Sequence, residues 1–198
     1  MSKVALTGNN SGTGTFTIAA PNSNTDRTFD LPDEAGTVLT SAGVPASAMP
    51  AGSVIQVVYS QASSISFQTS TTTYADLPGM SVNITPISPD SQVLIIAHWH
   101  VYTEAQDDGY GAGGTRLLRN STVLFSDEDY YGVALNSDNA RGRMMSYGSN
   151  SFLDSPNSTT SITYKLQGAS LRETTRAIVF NGSAFSQRPG ITAMEIAG

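Results

Sequence analysis

The chain of 198 residues contains no cysteine, and charged residues make up only 13% of it. The lack of cysteine excludes disulfides, thiolate metal sites and cysteine nucleophiles, so stability has to come from packing or from assembly with other chains. An average soluble domain has about 25% charged residues. Much of this surface must therefore be formed by Ser, Thr, Asn and Gly.

Positive charge is especially scarce, because 10 Lys and Arg stand against 16 Asp and Glu, for a net charge of −6. Proteins that bind nucleic acid normally carry a basic surface, so we expect no nucleic-acid partner. The sequence also lacks a signal-peptide core and an apolar run of membrane-spanning length. We therefore expect neither membrane insertion nor a cleavable export signal. No window has a capped helical pattern, which favours an all-β fold.

The longest apolar run is Gln92–Tyr102, rich in β-branched and aromatic residues, and it is typical of a buried strand. Strand side chains alternate between faces. One face is wholly apolar and carries Val93, Ile95, Ala97, Trp99 and Val101. The other face is apolar at one end and polar but bulky at the other, with Leu94, Ile96, His98, His100 and Tyr102. A sheet in contact with solvent has one polar face, so we predict that a neighbouring subunit covers this second face.

Strand signals recur from residue 53 to the C-terminus. The predicted strands are Val54–Tyr59, Ser64–Gln68, Ser81–Thr85, Gln92–Tyr102, Thr115–Arg119, Thr122–Phe125, Arg143–Tyr147, Ser161–Leu166, Arg176–Phe180 and Ile191–Ala197. Turn clusters separate them, such as Asp76–Gly79 and Asp154–Asn157, and Asn120-Ser121 has the composition of a tight hairpin turn. This spacing predicts an antiparallel β-sandwich of the jelly-roll type.

Residues 1–41 differ from the rest because their apolar residues are few and widely spaced. Segments 13–19, 27–31 and 36–40 alternate as short half-exposed strands do, with too little apolar surface to form a core alone. Two interpretations stay open: a flexible arm, or a β stem stabilised by wrapping with identical chains. Residues 42–52 have a linker composition. The predicted domains are a stem at 1–41, a linker at 42–52 and a knob at 53–198.

A resemblance to a known family lies in this first segment. The pattern Gly-Thr-Gly-Thr-Phe-Thr-Ile-Ala-Ala-Pro at 12–21, followed by Leu-Pro-Asp-Glu-Ala-Gly-Thr at 31–37, resembles the stem motif of bacteriophage tail fibres and related virion appendages. Phe29-Asp30 departs from the Thr-Leu more common there. Residues 190–198 resemble the closing strand of phage fibre tip domains. The resemblance implies a virion location, attachment to other virion proteins through residues 1–41, and a trimeric knob similar to tumour necrosis factor. It transfers no catalytic or ligand-binding residue.

The homotrimer prediction assigns residues to an interface between subunits. In the last strand, alternation is expected to turn Met194 and Ile196 toward the core and Ile191, Ala193 and Glu195 the other way. The predicted interface residues are Leu94, Ile96, His98, His100, Ile191 and Ala193.

His98 and His100 share one face of the predicted strand, and a trimer would bring them toward a common axis. Imidazole suits Zn, Ni or Fe, and some phage fibre tips, to which the chain is similar, hold metal ions in His-x-His motifs. Those motifs usually repeat along a needle, whereas this chain has one copy. The alternative, two hydrogen-bonded histidines packed beside Trp99 and Tyr102, is therefore favoured, and we predict no cofactor.

Candidate receptor-binding residues are Tyr and Arg side chains near segments rich in small polar residues: Tyr110, Tyr130, Tyr131, Arg141, Arg143 and Tyr147. The longest predicted loops are 105–114, 127–132 and 136–143. Tyr and Arg flanked by small polar residues are typical of adaptable binding loops, and aromatic faces stack on sugars. The alternative is that these tyrosines cap the ends of the sandwich.

No catalytic constellation is recognisable in the sequence. The acidic clusters 107–108 and 127–129 lack EF-hand spacing, and the glycine-rich segment 109–114 lacks the Gly-Lys-Ser/Thr of a phosphate-binding loop. We predict a non-enzymatic virion fibre protein whose knob binds a bacterial surface glycan or outer-membrane component. The alternatives are a structural head-decoration or connector fibre without a host receptor, and a tail-borne glycan depolymerase.

Overall fold

The computed structural model describes residues 10–15, 17, 19, 22–26, 28, 44, 48–62, 66–105, 112–131, 142–171, 177–181 and 188–198, with 103–105, 127–131 and 142–144 as backbone only. The chain divides into two units, Met1–Val38 and Leu39–Gly198. None of the described residues of the first unit lies in a strand. The predicted stem strands at 27–31 and 36–40 fall almost entirely outside the described residues, so the stem and the domain boundaries stay predictions.

The described part of the second unit contains ten strands. They are β1 (Val54–Gln61), β2 (Phe67–Thr69), β3 (Ala75–Ile84), β4 (Gln92–Ala105), β5 (Gly113–Arg119), β6 (Thr122–Tyr131), β7 (Gly142–Asp154), β8 (Ile162–Ser170), β9 (Ile178–Phe180) and β10 (Gly190–Ile196). No α-helix occurs among the described residues, and accordingly none there is long and apolar enough to cross a membrane. The all-β prediction is confirmed.

The strands form two antiparallel sheets. One is six-stranded, with β1, β10, β4 and β7 side by side, β9 beside the last part of β4, and β2 beside β9. The other has the order β3-β8-β5-β6. Apart from the short β2 and β9, this is the strand order of a jelly roll, in which two Greek keys form two packed sheets. The predicted sandwich is confirmed, whereas the homotrimer stays a prediction.

The core lies between the two sheets and is centred on β4. The predicted inner face of this strand is buried throughout: Val93, Ile95, Ala97, Trp99 and Val101. The opposite sheet contributes Met80, Val82, Ile84, Leu117, Tyr164 and Leu166. Burial stabilises the fold by about 1.5–3 kcal/mol for each large apolar side chain. The strand with the strongest apolar signal is therefore the centre of the domain.

The predicted orientation of the last strand is wrong. Ile191 and Ala193 are both 0% exposed and belong to the core of their own chain, so they cannot form the predicted subunit interface. The reason is register: Ile191 pairs with Ala97 and Ala193 pairs with Ile95, both on the core face of β4. Residues paired across a sheet share a face. Met194 and Ile196 therefore lie on the outer face, where they are half-buried.

The predicted turn at Asp76–Gly79 lies inside β3 instead. Asp76 pairs with Gln167 and Ser81 with Lys165, so β3 carries extra residues opposite its partner, which is a bulge. Gly79 has φ 74°, and a Cβ added there would lie 2.7 Å from the Cα of Ala62. Only glycine fits this position. The turn-like composition reflects a bulged strand.

Two other turns are found where the sequence predicts them. Asn120-Ser121 joins β5 to β6, and Asn120 adopts φ 54°, which asparagine tolerates better than most residues. The Asp154–Asn157 cluster ends β7, and Asn157 has φ 48°. The hairpin turn predicted at Asn120-Ser121 is confirmed, and the Asp154–Asn157 cluster separates β7 from β8, which lie in different sheets.

Candidate functional site

The outer face of the sheet formed by β1, β10, β4 and β7 is apolar at one end. One row of paired residues runs across all four strands: Val57, Met194, Leu94 and Leu153. Val57 is 56% exposed and Leu153 is 50% exposed. We call this region the aliphatic half; it consists of Val54, Val57, Leu94, Ile96, Leu153, Met194 and Ile196. Val54, Val57 and Leu153 are exposed, and the other four residues are half-buried. Apolar residues grouped in this way on an outer face can mark an interaction site.

Further along β4 the same face changes from aliphatic to polar and aromatic. A cavity of about 240 Å³ opens there, which we call the His98 cavity, lined by His98, Trp99, His100, Tyr147, Gly148, Ser149, Arg188 and Pro189. His98 pairs with Ser149 and His100 pairs with Tyr147 across β4 and β7. Three of the residues singled out in the sequence therefore meet in one place.

The cavity arises where β4 changes its neighbour. The first residue of β10, Gly190, pairs with His98, and β9 begins its pairing with β4 at Val101. Between these two points the N–H of Asn181 donates to the carbonyl of His100 at 2.9 Å. Asn181 adopts φ 55°, in the left-handed region that turns the chain away after β9. The sheet is interrupted at this edge, which leaves room for a depression.

The wall of the cavity formed by β7 depends on a glycine. Gly148 pairs with Trp99, whose side chain is 2% exposed. A Cβ added to Gly148 would lie 2.3 Å from Cε2 of the indole ring. The indole therefore occupies the space that a side chain at position 148 would need. A glycine at position 148 is therefore needed to leave room for the Trp99 ring, which lines the cavity.

The two histidines have different surroundings. His98 is exposed, and its Nε2–H donates to the backbone carbonyl of Arg188 at 3.0 Å. His100 is 2% exposed, and its ring lies 6.3 Å from the ring of Tyr147 with an interplanar angle of 60°. Within the part of the chain that the structure describes, no group of three or more metal-ligating side chains occurs. A metal held by this pair would need ligands from elsewhere, so the metal site stays a prediction.

The other predicted receptor-binding residues do not all reach this site. Tyr147 lines the cavity and is 55% exposed. Tyr130, Tyr131 and Arg143 lie in strands, because β6 and β7 extend beyond their predicted ends, and only their backbones are described. The loop placement of Tyr130 and Tyr131 was therefore wrong, whereas Arg143 lies at the start of β7, where a strand was also predicted. Tyr110 and Arg141 lie outside the described residues.

Arg188 lines the cavity although the sequence analysis did not single it out. Its backbone carbonyl is held by His98, and the carbonyl of the next residue, Pro189, accepts a hydrogen bond from the N–H of Ala62 at 3.0 Å. The Arg-Pro-Gly sequence immediately before the closing strand was the available signal. Arginine next to a rigid proline at the start of a strand has a fixed backbone.

Two buried carboxylates lie between the sheets rather than at the cavity. Asp154 accepts both contacts of Arg119 Nη1, at 3.0 Å each, and the hydroxyl of Tyr164 at 2.6 Å. Burial and the neighbouring Asp154 carboxylate raise the pKa of the Tyr164 hydroxyl far above its usual value. The cluster joins β7 of one sheet to β5 and β8 of the other, so its role is structural.

Glu195 is the second buried carboxylate and is 0% exposed. Its oxygens accept from Gln56 Nε2 at 2.5 Å and from the backbone N–H of Ile87 at 2.7 Å. Burial alone would raise the pKa of Glu195, but hydrogen bonds from Gln56, Ser91 and the backbone N–H groups of Ile87 and Ser88 together hold it below its usual value. The carboxylate is therefore ionised in the folded protein at neutral pH and fixes the chain before β4.

The outer face of the second sheet carries a polar network. Asp76 accepts from Lys165 Nζ at 2.8 Å and from Gln167 Nε2 at 2.5 Å. Arg116 Nε donates to Gln167 at 2.7 Å, and its guanidinium lies 4.5 Å above the ring of Tyr74. Desolvation alone would raise the pKa of Asp76. Hydrogen bonds from Lys165 and Gln167, together with the charges of Lys165 and Arg116, outweigh this effect and hold the pKa below its usual value. The polar side chains on this face thus satisfy one another.

Comparisons with known proteins identify no family for the chain. No protein-family model and no curated protein sequence matches the chain. Among solved structures, a chain of the T13 particle of infectious bursal disease virus is similar at 12% identity and TM-score 0.37, over 72% of this chain and 36% of that one. The VP2 subviral particle of the same virus gives 14% identity and TM-score 0.36, over 72% and 38%.

A bacterial protein is similar to the same degree. Dimeric latent PorU from Porphyromonas gingivalis gives 12% identity and TM-score 0.34, over 78% of this chain and 14% of that one. This chain thus spans little more than a third of the viral chains and a smaller part of PorU. Likeness at these identities and TM-scores carries no argument about function, which has to come from the site.

Proposed function

We propose that the chain is a virion protein of the phage-appendage type, whose jelly roll binds a component of the bacterial surface as a homotrimer and without catalysis. The observation that carries the proposal is the His98 cavity, where His98, His100 and Tyr147 meet on an exposed face beside the aliphatic half. The stem motif at residues 12–41 supports a virion location and attachment to other virion proteins.

The lining of the cavity suits binding. Tyr147 presents an exposed ring, and Ser149 and Arg188 supply hydrogen-bonding groups. Aromatic rings and a few placed polar groups are typical of ligand sites. Glycoside hydrolysis needs two carboxyl groups across the scissile bond, and no Asp or Glu is among the described residues that line this cavity. A depolymerase at this site is therefore disfavoured.

The trimer would bury the aliphatic half against two further copies of the chain. Leu94 and Ile96 of the predicted interface belong to this half, together with Val57, Met194 and Leu153. The aliphatic half carries no charge, although the chain has a net charge of −6. Copies of an acidic chain meet with least repulsion through an uncharged surface. His98 and His100, also predicted at the interface, lie at the cavity beyond this half.

Competition for host cells tests the proposal. Soluble protein should block adsorption of the virions that carry it, and Tyr147→Ala should weaken this competition by about tenfold or more, as expected for an aromatic contact residue. The control is Val123→Ala, because Val123 is 44% exposed on a strand of the other sheet. Failure of the wild-type protein to compete, or equal competition by both variants, would overturn receptor binding at this cavity.

A structural role in the virion is the second candidate. It is favoured by the exposed apolar residues of the aliphatic half, such as Val57 and Leu153, which suit assembly with or without a host receptor. Electron microscopy of intact virions labelled at Gly198 separates the two. Label at the tail tip supports receptor binding, whereas label on the capsid together with failed competition supports a head-decoration protein.

A further inference from the structure

We infer that the His98 cavity takes an anionic sugar unit, a monosaccharide bearing a carboxylate or phosphate group, and that the guanidinium of Arg188 binds its charge. The inference rests on the proposed function and names the ligand class of the same site. Two independent properties of the cavity lead to it: the sign of its charge and its size.

The charge at the cavity is opposite to that of the chain. Asp and Glu outnumber Lys and Arg by 16 to 10, yet the described lining of the cavity includes an arginine and no carboxylate. Arg188 is exposed, and no ion pair joins it to another described residue. Arginine presents a rigid fork of donors that fits carboxylate and phosphate oxygens. The site is therefore suited to an anion, although the surrounding protein repels one.

Arg188 is held in position before any ligand arrives. Its carbonyl accepts from His98 Nε2 at 3.0 Å, and the carbonyl of Pro189 accepts from Ala62 N–H at 3.0 Å. Pro189 is buried while Arg188 is exposed, so the side chain starts at the rim of the cavity. A fixed backbone reduces the entropy lost on binding.

The size of the cavity fits a single sugar ring. Its volume of about 240 Å³ lies below the range of about 300–1,000 Å³ that holds drug-sized ligands. Tyr147 offers a ring for stacking and Ser149 a hydroxyl beside it. A free inorganic anion would use Arg188 and leave the aromatic wall without a contact. The combination of arginine and aromatic ring therefore favours a charged sugar.

Ligand titration by NMR spectroscopy or calorimetry, with the full chain in its native assembly, tests the inference. The probes are glucuronate, glucose 6-phosphate, glucose and inorganic phosphate. One or both anionic sugars should bind at least about tenfold more tightly than glucose and than inorganic phosphate, because only they use both the arginine and the ring. Arg188→Gln should abolish the preference over glucose, and Arg188→Lys should restore part of it.

The control is Lys165→Gln, which removes one positive charge from the opposite sheet and should leave the preference unchanged. Circular dichroism of Arg188→Gln verifies that it folds. Equal binding of glucose, equal binding of inorganic phosphate, or an unchanged preference in Arg188→Gln would overturn the inference. The proposed function fails separately, if wild-type protein does not compete with virions for cells; competition without any preference for anionic sugars would refute only the ligand class.

Discussion

The outer face of the β1-β10-β4-β7 sheet and the outer face of the β3-β8-β5-β6 sheet cover the same core, but their side chains differ. On the first, Val57, Leu94 and Leu153 stand in one apolar row. On the second, Asp76, Lys165 and Gln167 bond to one another. The second face matches the polar outer face of an antiparallel sheet in water. The first does not, so it is the face on which a partner and a ligand are to be sought.

Polar groups at the surface and polar groups in the interior contribute differently to stability. The network around Asp76 lies at the surface, where ion pairs contribute about 0–1 kcal/mol. Asp154 and Glu195 are buried, with exposures of 7% and 0%. Asp154 accepts hydrogen bonds from Arg119 and Tyr164, and Glu195 accepts one from the backbone N–H of Ile87. Buried carboxylates that lose such partners destabilise a fold strongly. We therefore expect the buried carboxylates to contribute most to stability. The surface network around Asp76 mainly makes the outer face of its sheet polar.

The largest expected effect comes from placing a charge on the apolar face. Ile96→Glu and Val57→Glu should each shift a trimer to monomers at micromolar concentration, because an unpaired charge buried at an interface costs about 3–5 kcal/mol. Val57 is 56% exposed in the single chain, so its variant keeps the fold. Light scattering measures the mass.

The matched control is Ser81→Glu, at an exposed position on the outer face of the opposite sheet. It should leave the mass unchanged. A wild-type chain that scatters as a folded monomer, or a Val57→Glu variant that remains trimeric, would remove the aliphatic half as the contact surface.

A smaller effect should distinguish buried from exposed carboxylates. Asp154→Ala leaves Arg119 and the Tyr164 hydroxyl without their acceptor and should lower the free energy of unfolding by about 2–4 kcal/mol. Asp76→Ala, at a carboxylate whose side chain is 56% exposed, should cost less than about 1 kcal/mol. Urea denaturation of both variants checks this. Equal decreases in the free energy of unfolding of the two variants would contradict a larger contribution from the buried carboxylate.

The smallest effect is on the pH dependence of stability. The pKa of Glu195 is lower in the folded chain than in the unfolded chain. Its contribution is therefore fully present above the unfolded pKa and is lost as pH falls through the folded pKa. Glu195→Gln should lower the free energy of unfolding at neutral pH. Between about pH 6 and about pH 3, the stability of this variant should fall less than the stability of the wild-type chain. Melting temperatures across this range measure the slope.

Asp76→Asn is the comparison variant for that titration. The pKa of Asp76 is also lowered, so the sign of its contribution is the same. Its exposure to solvent screens the interaction, and the slope should change less than in Glu195→Gln. Parallel melting curves for wild type and Glu195→Gln would contradict a stabilising role of the ionised carboxylate.

The strands could be predicted because their signals are local. The alternation in Gln92–Tyr102 identified the core face of β4, and β-branched runs located the other strands. The orientation of β10 could not be read in the same way, since Ile191 and Ile196 lie on opposite faces and both are apolar. Its orientation follows from the pairing of Ala193 with Ile95. The bulge at Gly79 was missed because turns and bulges share the same residues.

The site could be predicted only in part, for a related reason. His98, His100 and Tyr147 stood out as rare residue types in strands or beside loops. Arg188 did not, because it reaches His98 across 90 residues of sequence. These residues come together because the pairing partner of β4 changes from β10 to β9 near His100. No local sequence pattern predicts where that change occurs. Three of the side chains could therefore be recognised from the sequence, whereas the cavity depends on the interruption of the sheet, which could not.

The pairing of Val54 with Ile196 also has a mechanical consequence. The chain enters β1 at the end of the sheet where β10 finishes, and the His98 cavity lies further toward the other end. If residues before Val54 are held by a particle and the cavity by a cell, tension pulls along β1. Ladder hydrogen bonds lie across the strands, so this pull shears all pairs from Val54 to Gln61 together. The domain would therefore resist drag far better than one whose edge strand is peeled away pair by pair.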